Sequence, residues 1–494
     1  MPHAGSTPAT RPPRRLRIAP LAGLTLLALG CQSHERRPLD PAGELAAWLA
    51  RTPASAEVRA FADGLGAKEP GSPGYNADDG ITCAEAELIA LVFNAELRIA
   101  RLRAGVTRAT AEHAGLWEDP SIGIDLTRVI EATPEPWKLF TSLSVTIPLS
   151  GRLDIEKQRA GAEHTAELER VAQREWTVRL ALRRAWVDWS ALNSRSASTR
   201  DFISLMDQSL TIVGRMEQAG EVSRTEARLL RVERATSATE LADVEARARE
   251  AELRLRELMG LSDAAPLTLL AEGIAPAVHA QAPIDASERE AKARASPTVR
   301  VALAAYEAAE SELQLEVRKQ YPDLQVGPGY GLEDGQNQML LGLSAPIPIL
   351  NGNRQGIAQA LARRELAHAE AQAALAQALM ALHAAEMRLH AASRRRHTLE
   401  SEIVPMVEAQ YLDARRVVQL GEVNALVLLE SLKRQQEAKL RVIEARRDEA
   451  IAAVDLVEHL GPAADGRASP SQSHDTGSTH RGATPPGATA RDPR

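Results

Sequence analysis

Residues 143–151 read LSVTIPLSG, and residues 343–352 read LSAPIPILNG. Each closes an alternating run. Leu139, Leu143, Val145 and Ile147 alternate with Phe140, Ser142, Ser144 and Thr146. Met339, Leu341, Leu343 and Ala345 alternate with Leu340, Gly342 and Ser344. A period of two predicts strands with one apolar and one polar face. Each run has an upstream partner. Ile122, Ile124, Leu126 and Ile130 alternate with Ser121, Gly123, Asp125 and Thr127, and Leu324, Val326, Tyr330 and Leu332 alternate with Gln325, Gly327, Gly329 and Gly331. Each run is about ten residues, close to what a tilted strand needs to cross a bilayer. Four strands do not close a barrel, and lipid does not tolerate an open edge. Several chains must therefore contribute.

Working outward, the same spacing recurs. Gly220-Glu221-Val222 returns as Gly421-Glu422-Val423, and Glu257 and Gly260 return as Glu458 and Gly461, all at an offset of 201. Leu143-Ser144 and Ile147-Pro148 return at 200, Gly151 returns as Gly352, and residues 117–120 align with 319–322. Residues 81–261 and 284–462 therefore read as two copies of one unit, joined by a linker at 262–283. Each copy is predicted as helix, two strands, long helix, tight tip, shorter helix. The first copy places helices at 83–114, 152–219 and 223–259, and the second at 287–319, 354–420 and 424–460. Strong helix formers fill these spans. Leu375, Leu379, Leu382 and Leu389 step like a packing seam. A helix of about 67 residues is about 100 Å long. The first and last helices of a copy together match that length and can pair with it antiparallel. The predicted fold is mainly α with a small β part: two tandem repeats, long antiparallel helices forming the wall of an α-barrel, and four strands of a shared β-barrel. Pro405 lies inside the second long helix and predicts a bend, structural or hinged.

Composition narrows the class. Aromatic residues are 3% of 494 and the formal net charge is −7. Loss of a leader carrying Arg11, Arg14, Arg15 and Arg17 moves that charge to −11. An acidic chain of this kind argues against a nucleic-acid partner. The longest apolar run, 19–30, is about a dozen residues, short of the roughly 20 of a spanning helix. Residues 1–30 read as a secretory signal, with that basic region followed by apolar residues 21–29. The run Leu27-Ala28-Leu29-Gly30-Cys31 resembles a bacterial lipoprotein box, with Ala28 where leucine is usual. That resemblance implies acylation of Cys31, and Gln32 in place of Asp implies passage to the outer membrane. The alternative is an ordinary signal peptide with a chance cysteine. Residues 31–80 are expected to form a lipid-anchored tether with one short helix near 45–51. Residues 463–494, including His474 and His480, are expected to form a disordered tail.

With these features in place, residues 81–462 resemble the TolC-like outer-membrane factor family. Residues 117–120 look like the family's entry into the first strand. Residues 147–151 and 347–352 look like its strand-to-helix exits. Tyr411, Gly421 and Glu430 look like the approach to its periplasmic tip. The Gly-Glu-Val tips and the anchor look closest to the branch that works with cation or drug efflux pumps. The resemblance implies a homotrimer with twelve strands in outer-membrane lipid and a periplasmic helical barrel. It implies a periplasmic adaptor and an inner-membrane transporter as partners. It also implies a passive conduit with no cofactor and no enzymatic chemistry. Gly220, Glu221, Val222, Gly421, Glu422 and Val423 are then expected at the closed end and the adaptor-docking surface. Some members carry acids six and nine positions after the second-tip glycine, here Val427 and Glu430. Glu226 and Glu430 are the candidates for a pore constriction. A threefold axis would gather Glu430 into a ring of carboxylates, costly to crowd. The alternative is a solvated glutamate beside Lys433 and Arg434.

Other signals are weaker. His383, His390 and His397 fall seven apart, so their rings sit about 10 Å apart along the axis, too far for two to share one metal. They read as a solvated or lumen-facing stripe. No phosphate loop, zinc-ligand spacing or nucleophile elbow occurs. The competing function is a periplasmic coiled-coil rod or adaptor bridging the envelope, for which four alternating strands have no use.

Overall fold

The computed structural model describes residues 34–66, 75–130, 136–271, 285–333, 336–419 and 425–462. The chain divides into a short unit ending at Trp48 and a large unit beginning at Leu49. The short unit holds most of helix α1 (Pro41–Leu49), which buries no residue. Everything below concerns the large unit.

There the order is α2 (Ala56–Gly66), α3 (Cys83–Phe93), α4 (Ala95–Glu112), β1 (Ser121–Arg128), β2 (Trp137–Ile147), α5 (Arg152–Ala219) and α6 (Arg224–Met259). It continues with α7 (Ala286–Ala295), α8 (Pro297–Arg318), β3 (Leu324–Glu333), β4 (Gln336–Ser344), α9 (Arg354–Thr398), a π turn (Leu399–Ile403), α10 (Val404–Gln419) and α11 (Ala425–Leu460). Two helices, two strands, a long helical run and a closing helix thus occur twice in the same order. Helix α5 runs unbroken for 68 residues. It packs against α4, α6, α8 and α11, while α9 packs against α8 and α11.

The expected single first helix of each copy is two helices, and a capping residue divides them. Asn94 adopts an extended conformation, and its side chain accepts from the amides of Glu96 and Leu97 to start α4. Its Nδ2 donates to the carbonyl of Leu258, 2.9 Å away, at the end of α6. Before α8, Ser296 is likewise extended and its hydroxyl accepts from the amide of Val299, with Pro297 at the first helical position. Alanine-rich flanks hide such a break, because their propensity runs straight through it.

The second long helix also departs from expectation. Pro405 has no N–H, and its ring crowds the carbonyl four residues back. The chain accommodates it by widening into the π turn, where the amide of Val404 reaches the carbonyl of Leu399, five residues back. Leu399 is held by Val442 and Ala445 of α11. The helix continues on both sides of the proline.

Much of the expected tether is built into the large unit. Val58 of α2 is fully buried with Ile89, Phe93, Trp186 and Met259. The Arg51 guanidinium donates to the carbonyls of Phe93 and Gly260, each at 3.2 Å. Tyr75 donates its hydroxyl to the carbonyl of Pro53 at 2.7 Å, and burial pushes its pKa up to about 12. Part of the expected linker is stitched down as well, since Ile81 pairs with Leu269 in a parallel bridge. Gly260 has φ +71°, and a Cβ there would meet the Phe93 carbonyl oxygen at 2.3 Å, so the close approach of α6 to α3 requires glycine. Under this seat lies a buried ionic cluster. Glu87 of α3 accepts from Arg179 at 2.8 Å and from Arg183, both on α5.

Candidate functional site

Two regions carry functional potential: the sheet and the turn between α5 and α6. The strands form one antiparallel sheet in the order β1-β2-β3-β4. β2 and β3 pair although α5 and α6 lie between them in the sequence. Directly opposed residues share a face. Ile122 opposes Leu143, Leu126 opposes Leu139, Leu139 opposes Leu332, and Val326 opposes Leu343. These residues make one apolar face that is open in the single chain; Ile124 is 69% and Met339 91% exposed.

The other face carries Ser121, Asp125, Ser142, Ser144, Gln325, Gln338 and Ser344. Lys138 and Glu333 form an ion pair there. Phe140 lies on this polar side against β3, where Cβ atoms at Gly329 or Gly331 would each meet its ring at 2.6 Å. The two glycines therefore give the ring its place. Among the described residues, β1 and β4 each keep one unpaired edge. Such a sheet, apolar on one face and open at both sides, offers two edges to further strands.

Sheet and helices are joined where the sequence had marked no functional residue. Arg152, the first residue of α5, donates to Asp323 just before β3 and to Glu118 just before β1, both at 2.7 Å. Ser150 adds a bond to Asp323 at 3.3 Å. One arginine thus ties together the entries to β1 and β3. Its sequence signal was only a cation directly after the Gly151 break.

At the other end of α5, Gly220 has φ +79°. Its amide and that of Glu221 return to the carbonyls of Glu217 and Met216, the double bond of a glycine helix stop. Val222 is buried, and it belongs to an apolar cluster that includes Met206, Val213 and Leu230 of the same hairpin and Tyr411, Leu428 and Leu432 of α10 and α11. The Gly-Glu-Val turn is thus a stop, an exposed acid and an anchor. Lys433 reaches Glu233 at 3.0 Å and further joins the two hairpins.

The pore candidates separate by geometry. Glu226 caps α6: its Oε2 accepts from the Ser223 amide at 2.9 Å and from the Ser223 hydroxyl at 2.8 Å. Those bonds, the backbone one foremost, hold its pKa below the usual carboxylate value. Glu430 accepts from Arg434 on its own helix at 2.9 Å, and both side chains are exposed. Val427 is exposed, and its carbonyl accepts from the Ser431 hydroxyl at 2.7 Å. Cys31 and the second-tip residues Gly421, Glu422 and Val423 lie outside the described residues. Among the described residues, no three His, Cys, Asp or Glu side chains gather to hold a metal, and no helix is long and apolar enough to cross a membrane.

No protein-family model matches the chain. A stretch of 227 residues is 24% identical to the cobalt-zinc-cadmium resistance protein CzcC of Cupriavidus metallidurans, covering 46% of this chain and 53% of that relative. The match thus spans about half of the relative's length. Among solved structures, CusC, described in terms of folding and transmembrane channel formation, aligns with a TM-score of 0.67 at 13% identity, covering 87% of this chain and 99% of CusC. The outer membrane protein VceC of Vibrio cholerae aligns with a TM-score of 0.64 at 16% identity, covering 77% and 96%.

Proposed function

The chain has the fold of the TolC-like outer-membrane factors, and from that premise we propose that it is the outer-membrane channel subunit of an efflux system. The observation that carries the reading is the sheet: four strands, one bare apolar face and two open edges, attached to helices up to 68 residues long. In this reading, β4 of one chain pairs with β1 of the next, and three chains close twelve strands into one barrel. The apolar face meets lipid and the polar face lines water. The helices of two tandem repeats form the periplasmic wall. Substrates pass without chemistry or cofactor, handed over by an inner-membrane transporter through a periplasmic adaptor. The likeness to CzcC favours metal cations among the exported small molecules. Cys31 is the lipid anchor. The Gly220-Glu221-Val222 and Gly421-Glu422-Val423 turns form the closed end that the adaptor engages. A periplasmic rod would leave the apolar sheet face without purpose.

The test is reconstitution. Detergent-extracted protein should have three times the mass of one chain and should conduct ions across a planar bilayer. A stable, water-soluble monomer without detergent would refute the reading.

A further inference from the structure

Inside the chain, one seam joins β2 to β3. Thr141 faces Tyr330 and Val145 faces Val326. Where β2 leaves the sheet and β3 enters it, Ser150 and Arg152 hold Asp323. The two hairpins show which residues stand at the equivalent places elsewhere. Ser121 faces Ser144 in one, and Gln325 faces Ser344 in the other. Leu143-Ser144 and Ile147-Pro148 match Leu343-Ser344 and Ile347-Pro348 in sequence, so Gln325 stands where Ser121 does. Two residues earlier, Asp323 then has its equivalent in Asp119. Arg152 opens α5 after the left-handed cap Gly151, and Arg354 opens α9 after the left-handed cap Asn353. Arg354 is thus the equivalent of Arg152.

These two equivalents do not meet in one chain. β1 and β4 are the outer strands of the sheet, three strand spacings or about 14 Å apart. Arg354 and Asp119 are both exposed, and among the described residues neither has an ion-pair partner. Arg354 nevertheless has a built place. Asn353 Nδ2 donates to the Glu316 carbonyl at 2.8 Å and to its Oε2 at 2.7 Å, which seats the start of α9 on α8. Beside that seat, Arg354 lines a hollow of about 420 Å3 with Gln320, Asn351, Ile357 and Leu361. A cation stands by one open edge and a carboxylate by the other. The occupant that offers both an edge and a carboxylate is a second copy of this chain.

Carrying the in-chain register across sets the strands. Thr141 becomes Leu341 and Tyr330 becomes Leu126, and both leucines lie on the apolar face. A slip of one residue would set the apolar side chains of β1 beside the polar face of β4. An exposed ion pair adds little affinity, but charge complementarity across an interface fixes its register. Arg354 is on this argument a positioning residue.

We infer that the seam between two copies repeats the seam within one: Arg354 clasps Asp119 of the partner subunit, and β4 meets the partner's β1 with Leu341 opposite Leu126 of the partner subunit. This rests on the proposed channel function, which joins β4 to the β1 of the next chain.

The test is made on full-length protein in detergent, in a Cys83→Ser background. The double variant Leu126→Cys/Leu341→Cys should, on oxidation, give a covalent species of three times the chain mass. Within one chain the two positions are too far apart for a disulfide, so every link joins two copies. Leu126→Cys/Leu340→Cys, with its thiols on opposite faces, should not link. Each single-cysteine variant controls for Cys31. Arg354→Asp and Asp119→Arg should each lower the temperature at which the assembly falls into single chains, and the two together should restore it. Unmodified protein that runs as a single chain would overturn the channel reading and the seam with it. Trimers that do not link through positions 126 and 341, that link equally through 126 and 340, or whose charge exchange restores nothing would overturn the seam alone.

Discussion

At the residue scale, Gly220 and Glu430 are the sharpest probes. A Cβ at Gly220 would meet nothing within 4 Å, so Gly220→Ala is strained only by its backbone. That strain costs about 1–2 kcal/mol, read as a lowered midpoint in denaturant while the protein still assembles. A bulky residue there should further abolish efflux while assembled protein remains in the membrane, if the turn meets the adaptor. Normal export by Gly220→Trp would remove the turn from that contact. Glu430 offers a carboxylate already shared with Arg434. If three copies ring the pore, Glu430→Ala should reduce cation preference in a planar bilayer and relieve block by divalent ions. Unchanged selectivity would return Glu430 to a solvated surface pair. Glu226 is less useful, because its carboxylate is spent on the cap. Its lowered pKa means that its stabilising effect is present above the ordinary carboxylate pKa and fades as pH falls through the folded value.

At the element scale, the short helix α3 is keyed to α5 by charge. Glu87 is 3% exposed and answers two arginines, Arg179 and Arg183. Glu87→Ala strands both in a buried site, and breaking a buried pair costs about 3–5 kcal/mol. The loss should appear in thermal unfolding of the purified protein. A shift no larger than that of an exposed control such as Glu112→Ala would show the cluster to be hydrated. The strands allow a paired comparison. Leu143 and Ser144 are neighbours on opposite faces of β2. If the apolar face meets lipid, an arginine on it costs about 2–4 kcal/mol at the bilayer midplane. Leu143→Arg should therefore reduce the protein recovered from outer membranes, whereas Ser144→Arg should be tolerated. Equal recovery would mean that the apolar face does not meet lipid.

At the scale of the whole molecule, the proposed function gives attachment to the envelope two independent means. In that proposal the barrel inserts by itself, and Cys31 adds an acyl anchor. Cys31→Ser should then slow delivery to the outer membrane more than it lowers the stability of the assembled channel. Mass spectrometry of the mature N-terminus checks the premise directly, since an unmodified Cys31 or cleavage elsewhere would remove the anchor. The seat of α2 and Arg51 against the ends of α3 and α6 bears on the same question. Only part of the chain between Cys31 and residue 80 is left to act as a tether.

The sequence by itself determined the four strands and their alternating faces, the long helices and the site of the Gly220 turn, but not helix α2. Those follow from local rules: period two for a strand, unbroken helix formers for α5, and a glycine where the chain needs positive φ. The Ser296-Pro297 break is legible too, as a cap followed by a first-turn proline. Asn94 gave less warning, because what fixes it is a carbonyl of α6, 164 positions away. Only the tertiary structure decided that β2 pairs with β3, that Arg152 ties both strand entries, and that Tyr411 packs into the first tip. Each joins residues far apart in the chain, where no periodicity or propensity carries information. The buried Glu87 cluster belongs with them: a glutamate and two arginines read as ordinary solvated charges until packing removes the water between them.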